Sequence, residues 1–172
     1  QDPFGSFNPR HKVARLITEP FHLHETPLNQ QERQRLINQT LAAVGLDPSD
    51  ANKYIHQFSG GQRQRIAIAR ALIIQPDLIV FDEAVSALDV SVRAQILDLL
   101  ANLSAKYNLT YLFISHDLNV VRTITDRVLV MQRGEIVEQG ETERVFTAPN
   151  HPYTQEWIAA APVLPDLQQM KG

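Results

Sequence analysis

Residues 78–83 read Leu78-Ile79-Val80-Phe81-Asp82-Glu83, and residues 109–117 read Leu109-Thr110-Tyr111-Leu112-Phe113-Ile114-Ser115-His116-Asp117. Each is a short apolar run ending in polar residues, the pattern of a strand buried on both faces of a parallel sheet. Between them Val92, Ile96, Leu99, Leu100 and Leu103 form one apolar stripe, predicting a helix from about Val90 to Lys106 with Asp89 as its cap. Strand, helix, strand in this order is a βαβ unit, which sets the fold class as α/β with a parallel sheet.

Upstream, Ser59 is placed to cap a helix from Gly60 to about Ile74 that Gln75-Pro76 stops. Ile37, Leu41 and Val44 predict an earlier helix from Gln30, which Gly45 ends in a left-handed conformation. Residues 1–30 hold Pro3, Pro9, Pro20 and Pro27 and read as loop, with a short helix around Lys12–Thr18. Downstream, Arg127–Gln132 and Glu135–Gln139 predict a hairpin that turns at Arg133-Gly134. A last helix starts at Pro152 and aligns Tyr153, Trp157 and Ala160; Pro162 and Pro165 end order beyond it.

Composition narrows the function. The chain has 172 residues, 44% hydrophobic and 20% charged, enough for one domain with a core. A net charge of -3 argues against a protein held to nucleic acid by overall charge. The absence of cysteine removes disulfide scaffolds, thiolate metal sites and cysteine nucleophiles. No apolar run approaches the ~18–20 residues of a membrane-spanning helix.

Four local patterns carry chemistry. Ser59-Gly60-Gly61-Gln62 opens a helix with bare amides that a phosphate can approach closely, although a well-capped helix reads the same way. Asp82 and Glu83 end a parallel strand, where open α/β sheets bind ligands. There one carboxylate can hold Mg²⁺ through water and the other can polarise an attacking water. Ser86-Ala87-Leu88-Asp89 follows as a turn, and His116 ends the second strand. Each alone is a common structural feature.

In order and wording the four together resemble the ATP-binding-cassette ATPases. The resemblance implies that Ser59, Gly60, Gly61 and Gln62 are the signature motif, Asp82 the Walker B aspartate, and Glu83 the catalytic glutamate. It makes Ser86–Asp89 the D-loop, His116 the switch histidine and Gln1 the glutamine of the Q-loop. Gln1, Ser59, Gly60, Gly61, Gln62 and Asp89 would then touch nucleotide, and Asp82 and Gln1 would serve the metal, with ATP and Mg²⁺ as cofactors. Gln1-Asp2-Pro3, Asn8-Pro9-Arg10, Val85–Ser91 and His151-Pro152-Tyr153-Thr154 are similar to the oligopeptide, dipeptide and nickel importer branch. Ala84-Val85 stands where most cassettes read Pro-Thr, a departure that branch tolerates.

No Gly-x-x-x-x-Gly-Lys-Ser/Thr loop occurs in the 172 residues. That loop holds the triphosphate and supplies a hydroxyl to Mg²⁺. The expectation is a P-loop ATPase portion beginning at the Q-loop, cut from a longer chain, that keeps the half of the site acting across a dimer and binds ATP negligibly alone. It divides into residues 1–62 (Q-loop and helical signature region), 63–147 (Walker B, D-loop, H-loop and hairpin) and 148–172 (importer-type extension). Family resemblance implies a second cassette packed head to tail and a transmembrane permease at the cytoplasmic face of the membrane, with no nucleic acid. Glu19, Pro20 and Phe21 are the candidate permease contacts. The alternatives are a DNA- or ribosome-associated cassette and a docking-only module. His11, His22 and His24 are spaced irregularly for a metal, and Arg63 and Arg65 read as surface ion-pair residues rather than a basic patch.

Overall fold

Strands β1 (Leu78–Asp82) and β2 (Thr110–Ile114) pair in parallel, with Leu78 opposite Thr110 and Asp82 opposite Ile114. They belong to a computed structural model that describes residues 7–23 and 28–160. These residues form two compact units that divide after Ile114. The crossover of the βαβ unit is helix α4 (Val90–Tyr107), which ends at Asn108 in the left-handed conformation.

The sheet departs from the sequence expectation in one respect. Ile79 and Phe81 are buried, whereas Leu78 and Val80 are 52% and 54% exposed. On β2, Leu112 and Ile114 are 45% and 50% exposed on the same face. These strands are therefore covered on one face only among the described residues. An apolar run shows that a strand suits burial; it does not reveal which element covers it.

On the covered face Phe81 stacks on Phe113 at 4.7 Å between ring centroids, and Tyr111 meets Phe81 edge-on at 5.2 Å. The Tyr111 hydroxyl donates to the Leu100 carbonyl of α4 at 3.0 Å, tying crossover to strand. Burial pushes the Tyr111 phenol up to about 12. An unfolded tyrosine ionises near pH ~10, so the folded state keeps this proton while the unfolded chain releases it. The stabilising contribution is complete below pH ~10 and is lost as pH rises toward 12. Tyr111→Phe is expected to cost about 1 kcal/mol at neutral pH. In urea titrations the gap between the two proteins should close between pH 10 and 12; a constant gap would refute the assignment.

The rest of the first unit is helical. Helix α1 (Val13–Thr18) buries Val13, Leu16, Ile17 and Thr18 and packs against α3 (Gly60–Leu72). A 3-10 helix, Glu19–Leu23, follows directly. Helix α2 (Gln30–Ala43) starts at an Asn29–Glu32 capping box, and Gly45 follows it at φ +73° as expected. Arg65 seals that end by donating to the Val44 carbonyl at 2.7 Å, and Arg63 donates to the Phe58 carbonyl at 2.9 Å. Both arginines therefore serve backbone carbonyls, a role their positions in sequence did not disclose.

In the second unit the expected hairpin is present as β3 (Arg127–Gln132) and β4 (Glu135–Glu141). Arg133 and Gly134 both have positive φ, the left-handed pair that a two-residue turn between twisted strands requires. Val128 and Val130 of β3 join Val121 and Val145 in a core cluster. Val121 lies on α5 (Leu118–Ile124) and Val145 on α6 (Thr142–Thr147), two short helices that sequence periodicity did not reveal. Helix α7 (Pro152–Ala159) begins at Pro152 as expected and lays Tyr153 and Trp157 on this cluster, while Ala160 is exposed beyond its end.

Candidate functional site

Helix α3 opens with a reciprocal cap. Ser59 Oγ accepts from the Gln62 amide at 3.3 Å, and Gln62 Oε1 accepts from the Ser59 amide at 3.0 Å. The Gly60 and Gly61 amides occupy the first two helical positions, outside this box, and point along the positive end of the helix. Sequence reasoning placed Gln62 at this tip; the structure adds that its side-chain oxygen closes the cap.

The C-terminal tip of β1 carries the two acids. Asp82 is exposed and Glu83 half-buried. Glu83 has φ +49°, a left-handed backbone that costs a residue with a side chain roughly 1 kcal/mol. Three hydrogen bonds hold it there. Its amide donates to the Ile114 carbonyl at 2.9 Å; its carbonyl accepts from the Ser86 amide at 3.1 Å and the Ser86 hydroxyl at 2.8 Å. Ser86 thus fixes the turn through its side chain, and buried Val85 and Leu88 anchor the segment.

That turn delivers Asp89 to the start of α4. Asp89 Oδ1 accepts from the Val92 amide and the Ser91 hydroxyl, each at 2.9 Å, and these bonds hold its carboxyl below the usual carboxylate range. The cap predicted at Asp89 is present. Ser91 and Val92 are the supports that sequence reasoning missed; a serine two residues after an aspartate cap was the available signal.

The two helix starts lie together. A Cβ built on Gly61 would stand 2.7 Å from Val92 Cγ1. Ser59–Gln62 and Asp89–Val92 are therefore neighbouring tips within the first unit.

His116 lies in the second unit, just before Asp117, whose carboxylate caps α5 through the Asn119 and Val120 amides. Gln1 and His24 lie outside the described residues. His11 faces Glu19 at 3.6 Å, and Arg70 of α3 faces the same carboxylate at 3.6 Å. Glu19, Pro20 and Phe21 are only half-exposed. Among the described residues no group of three His, Cys, Asp or Glu converges on a metal position. A cleft of about 290 Å³, lined by Leu36, Thr40, Leu72, Pro76, Tyr107 and Leu109 among others, opens beside the N-terminal ends of the strands and includes none of the motif residues.

Cassette ATPases are what comparison with known proteins finds. The ABC transporter family model matches residues 5–86. Among curated proteins, the oligopeptide transport ATP-binding protein AppF of Bacillus subtilis is 52% identical over 95% of this chain and 49% of its own length. The dipeptide transport ATP-binding protein DppF of Escherichia coli is 50% identical over 95% of this chain and 49% of its own. AmiF of Streptococcus pneumoniae, an oligopeptide transport ATP-binding protein, is 50% identical over 99% and 56%. The chain thus spans about half the length of the curated relatives it matches. Among solved structures, cbiO1 from Clostridium perfringens, part of the ABC transporter complex cbiONQ, aligns with TM-score 0.75 at 26% identity, covering 86% of this chain and 57% of that one. MJ0796, a bacterial ABC transporter cassette solved as a dimer, aligns with TM-score 0.67 at 29% identity over 80% and 59%.

Residues 5–86 carry an ABC transporter family domain, the ATP-binding cassette. The sequence is similar to the ATP-binding subunits of oligopeptide and dipeptide transporters.

Proposed function

We propose that this chain works in an ATPase that drives peptide import, and that it contributes the part of the ATP site reaching across a cassette dimer together with the water-activating carboxylate. The observation that carries this is identity of about half the residues, over nearly the whole chain, with three peptide transport ATP-binding proteins.

Each residue has a task in that reading. The Gly60 and Gly61 amides, backed by the dipole of α3, meet the terminal phosphate of a nucleotide held by the opposing cassette. Ser59 and Gln62 hold the tip open by capping it. Glu83 takes the proton as a water oxygen bonds to the γ-phosphorus and the bond to ADP breaks, the electron pair leaving with ADP. His116 contacts the γ-phosphate and the water, and Asp89 presents the D-loop to the partner. Gln1 is the candidate for the metal and the nucleotide in this reading.

The donor set suits magnesium in one way only. Asp82, exposed at the strand tip, can hold Mg²⁺ through water while phosphate oxygens supply other positions. Mg²⁺ bound there would neutralise charge developing on the phosphates.

The partners proposed are a second cassette, head to tail, and a transmembrane permease that seats the protein on the cytoplasmic face of the membrane. No helix among the described residues is long and apolar enough to cross a membrane. MJ0796, solved as a dimer and in another structure bound to ADP and Pi, supports the pairing and the nucleotide. The test is uptake of a labelled dipeptide by vesicles containing the full-length protein with its permease. ATP-dependent accumulation is expected, and ATP hydrolysis unmoved by any peptide or permease would overturn the transport reading.

A further inference from the structure

We propose that Gly61 and Val92 form a steric register between the two helix starts, so that the Ser59–Gln62 tip and the Asp89 turn are placed as one unit. The contact itself is independent of function; its consequence at a nucleotide rests on the reading above.

The geometry is specific. A β-carbon on Gly61 would meet Val92 Cγ1 at 2.7 Å and Val92 Cγ2 at 3.8 Å, so the helices approach as closely as a hydrogen side chain permits. Val92 cannot give way cheaply. It is β-branched, within a helix, and held to one dominant χ1 rotamer. Its amide is bound by Asp89 Oδ1 at 2.9 Å, so moving Val92 disturbs the Asp89 cap directly. On the other side, Gly61 lies between Ser59 and Gln62, which are locked to each other by the capping box. Displacement at either tip is therefore transmitted to the other through one van der Waals contact. Gly61 has a demand on it separate from phosphate access, and Val92 is a positioning residue acting through Asp89.

Helix propensity makes the opposite prediction, which gives the test its sign. Gly61 lacks a positive φ. Alanine at an ordinary helical position should stabilise relative to glycine. With the contact in place, Gly61→Ala in the full-length protein instead lowers the melting temperature by roughly 3–8 °C. With Val92→Ala added, the same substitution becomes neutral or stabilising. Hydrogen exchange at the residue-92 amide rises in Gly61→Ala over wild type, whereas the double variant exchanges at the rate of Val92→Ala alone. For ATP turnover, Gly61→Ala lowers kcat more than tenfold, and Val92→Ala recovers at least threefold of that loss.

A Gly61→Ala protein that melts at or above the wild-type temperature overturns the register. So does a double variant whose losses simply add, or a kcat with no recovery. If Gly61→Ala alone does not fold, folding of the double variant supports the proposal and its failure overturns it. A wild-type protein that hydrolyses no ATP would defeat the functional reading and leave the melting and exchange measurements to decide the register.

Discussion

Glu83→Gln in the full-length protein is expected to lower ATP turnover by at least two orders of magnitude and to leave melting temperature and nucleotide affinity close to wild type. General bases supply roughly 10²–10⁴-fold, and glutamine keeps the side chain's shape while removing the carboxylate that takes the proton. The local structure makes this substitution clean. The backbone of Glu83 is held by the Ile114 carbonyl and by two bonds from Ser86, so none of the three depends on the carboxylate. The left-handed conformation at φ +49° is also unaffected, because strain there belongs to the main chain. The backbone position and the carboxylate chemistry are thus separable at this residue. Steady-state hydrolysis with saturating Mg-ATP, alongside a melting curve, measures both. A variant retaining more than a tenth of wild-type turnover removes Glu83 as the base. Ser86→Ala provides the converse: the base remains but loses one support for its backbone, and a smaller loss of turnover is expected.

What was legible in the sequence was local. Ser59 before Gly60-Gly61, Asp89 before an apolar stripe and Pro152 at a helix start are signals completed within a few residues, and the structure uses all three. The hairpin turn at Arg133-Gly134 belongs with them, since a two-residue loop dictates its own backbone. Long-range partners were not legible. Arg65 finds a carbonyl 21 residues away in sequence, a pairing that depends on how α2 and α3 pack. Helices α5 and α6 are too short to show a period, and each gives one valine, Val121 and Val145, to the cluster shared with the hairpin. At the site, the residue types were readable, but the proximity of Gly61 to Val92 needed coordinates.

Over-reading of burial on β1 and β2 leads to the second large effect. The 172 residues expressed alone should self-associate, and polar substitutions on the open face should suppress this. Leu78, Val80, Leu112 and Ile114 are each about half exposed on one face of a two-stranded sheet. Fully burying such a side chain is worth ~1.5–3 kcal/mol, so this face leaves on the order of 1 kcal/mol unrealised at each position. The sum, about 4 kcal/mol, is a large share of the ~5–15 kcal/mol by which a domain is stable. Pairing in β1 and β2 is satisfied on one side of each strand only among the described residues, so backbone donors and acceptors accompany the apolar surface. A second copy offers both. Light scattering and sedimentation should show oligomers that grow with concentration, together with binding of a hydrophobic dye. Val80→Lys combined with Leu112→Lys places two like charges directly opposite each other on that face, since Val80 and Leu112 are register partners. Repulsion and hydration then oppose stacking. Because both positions point away from Phe81, Tyr111 and Phe113, the aromatic packing and α4 should persist by circular dichroism. Dye binding should fall several-fold and the oligomers should shrink. A wild-type chain that sediments as a monomer at every concentration, and melts cooperatively, would show that the open face carries no such drive.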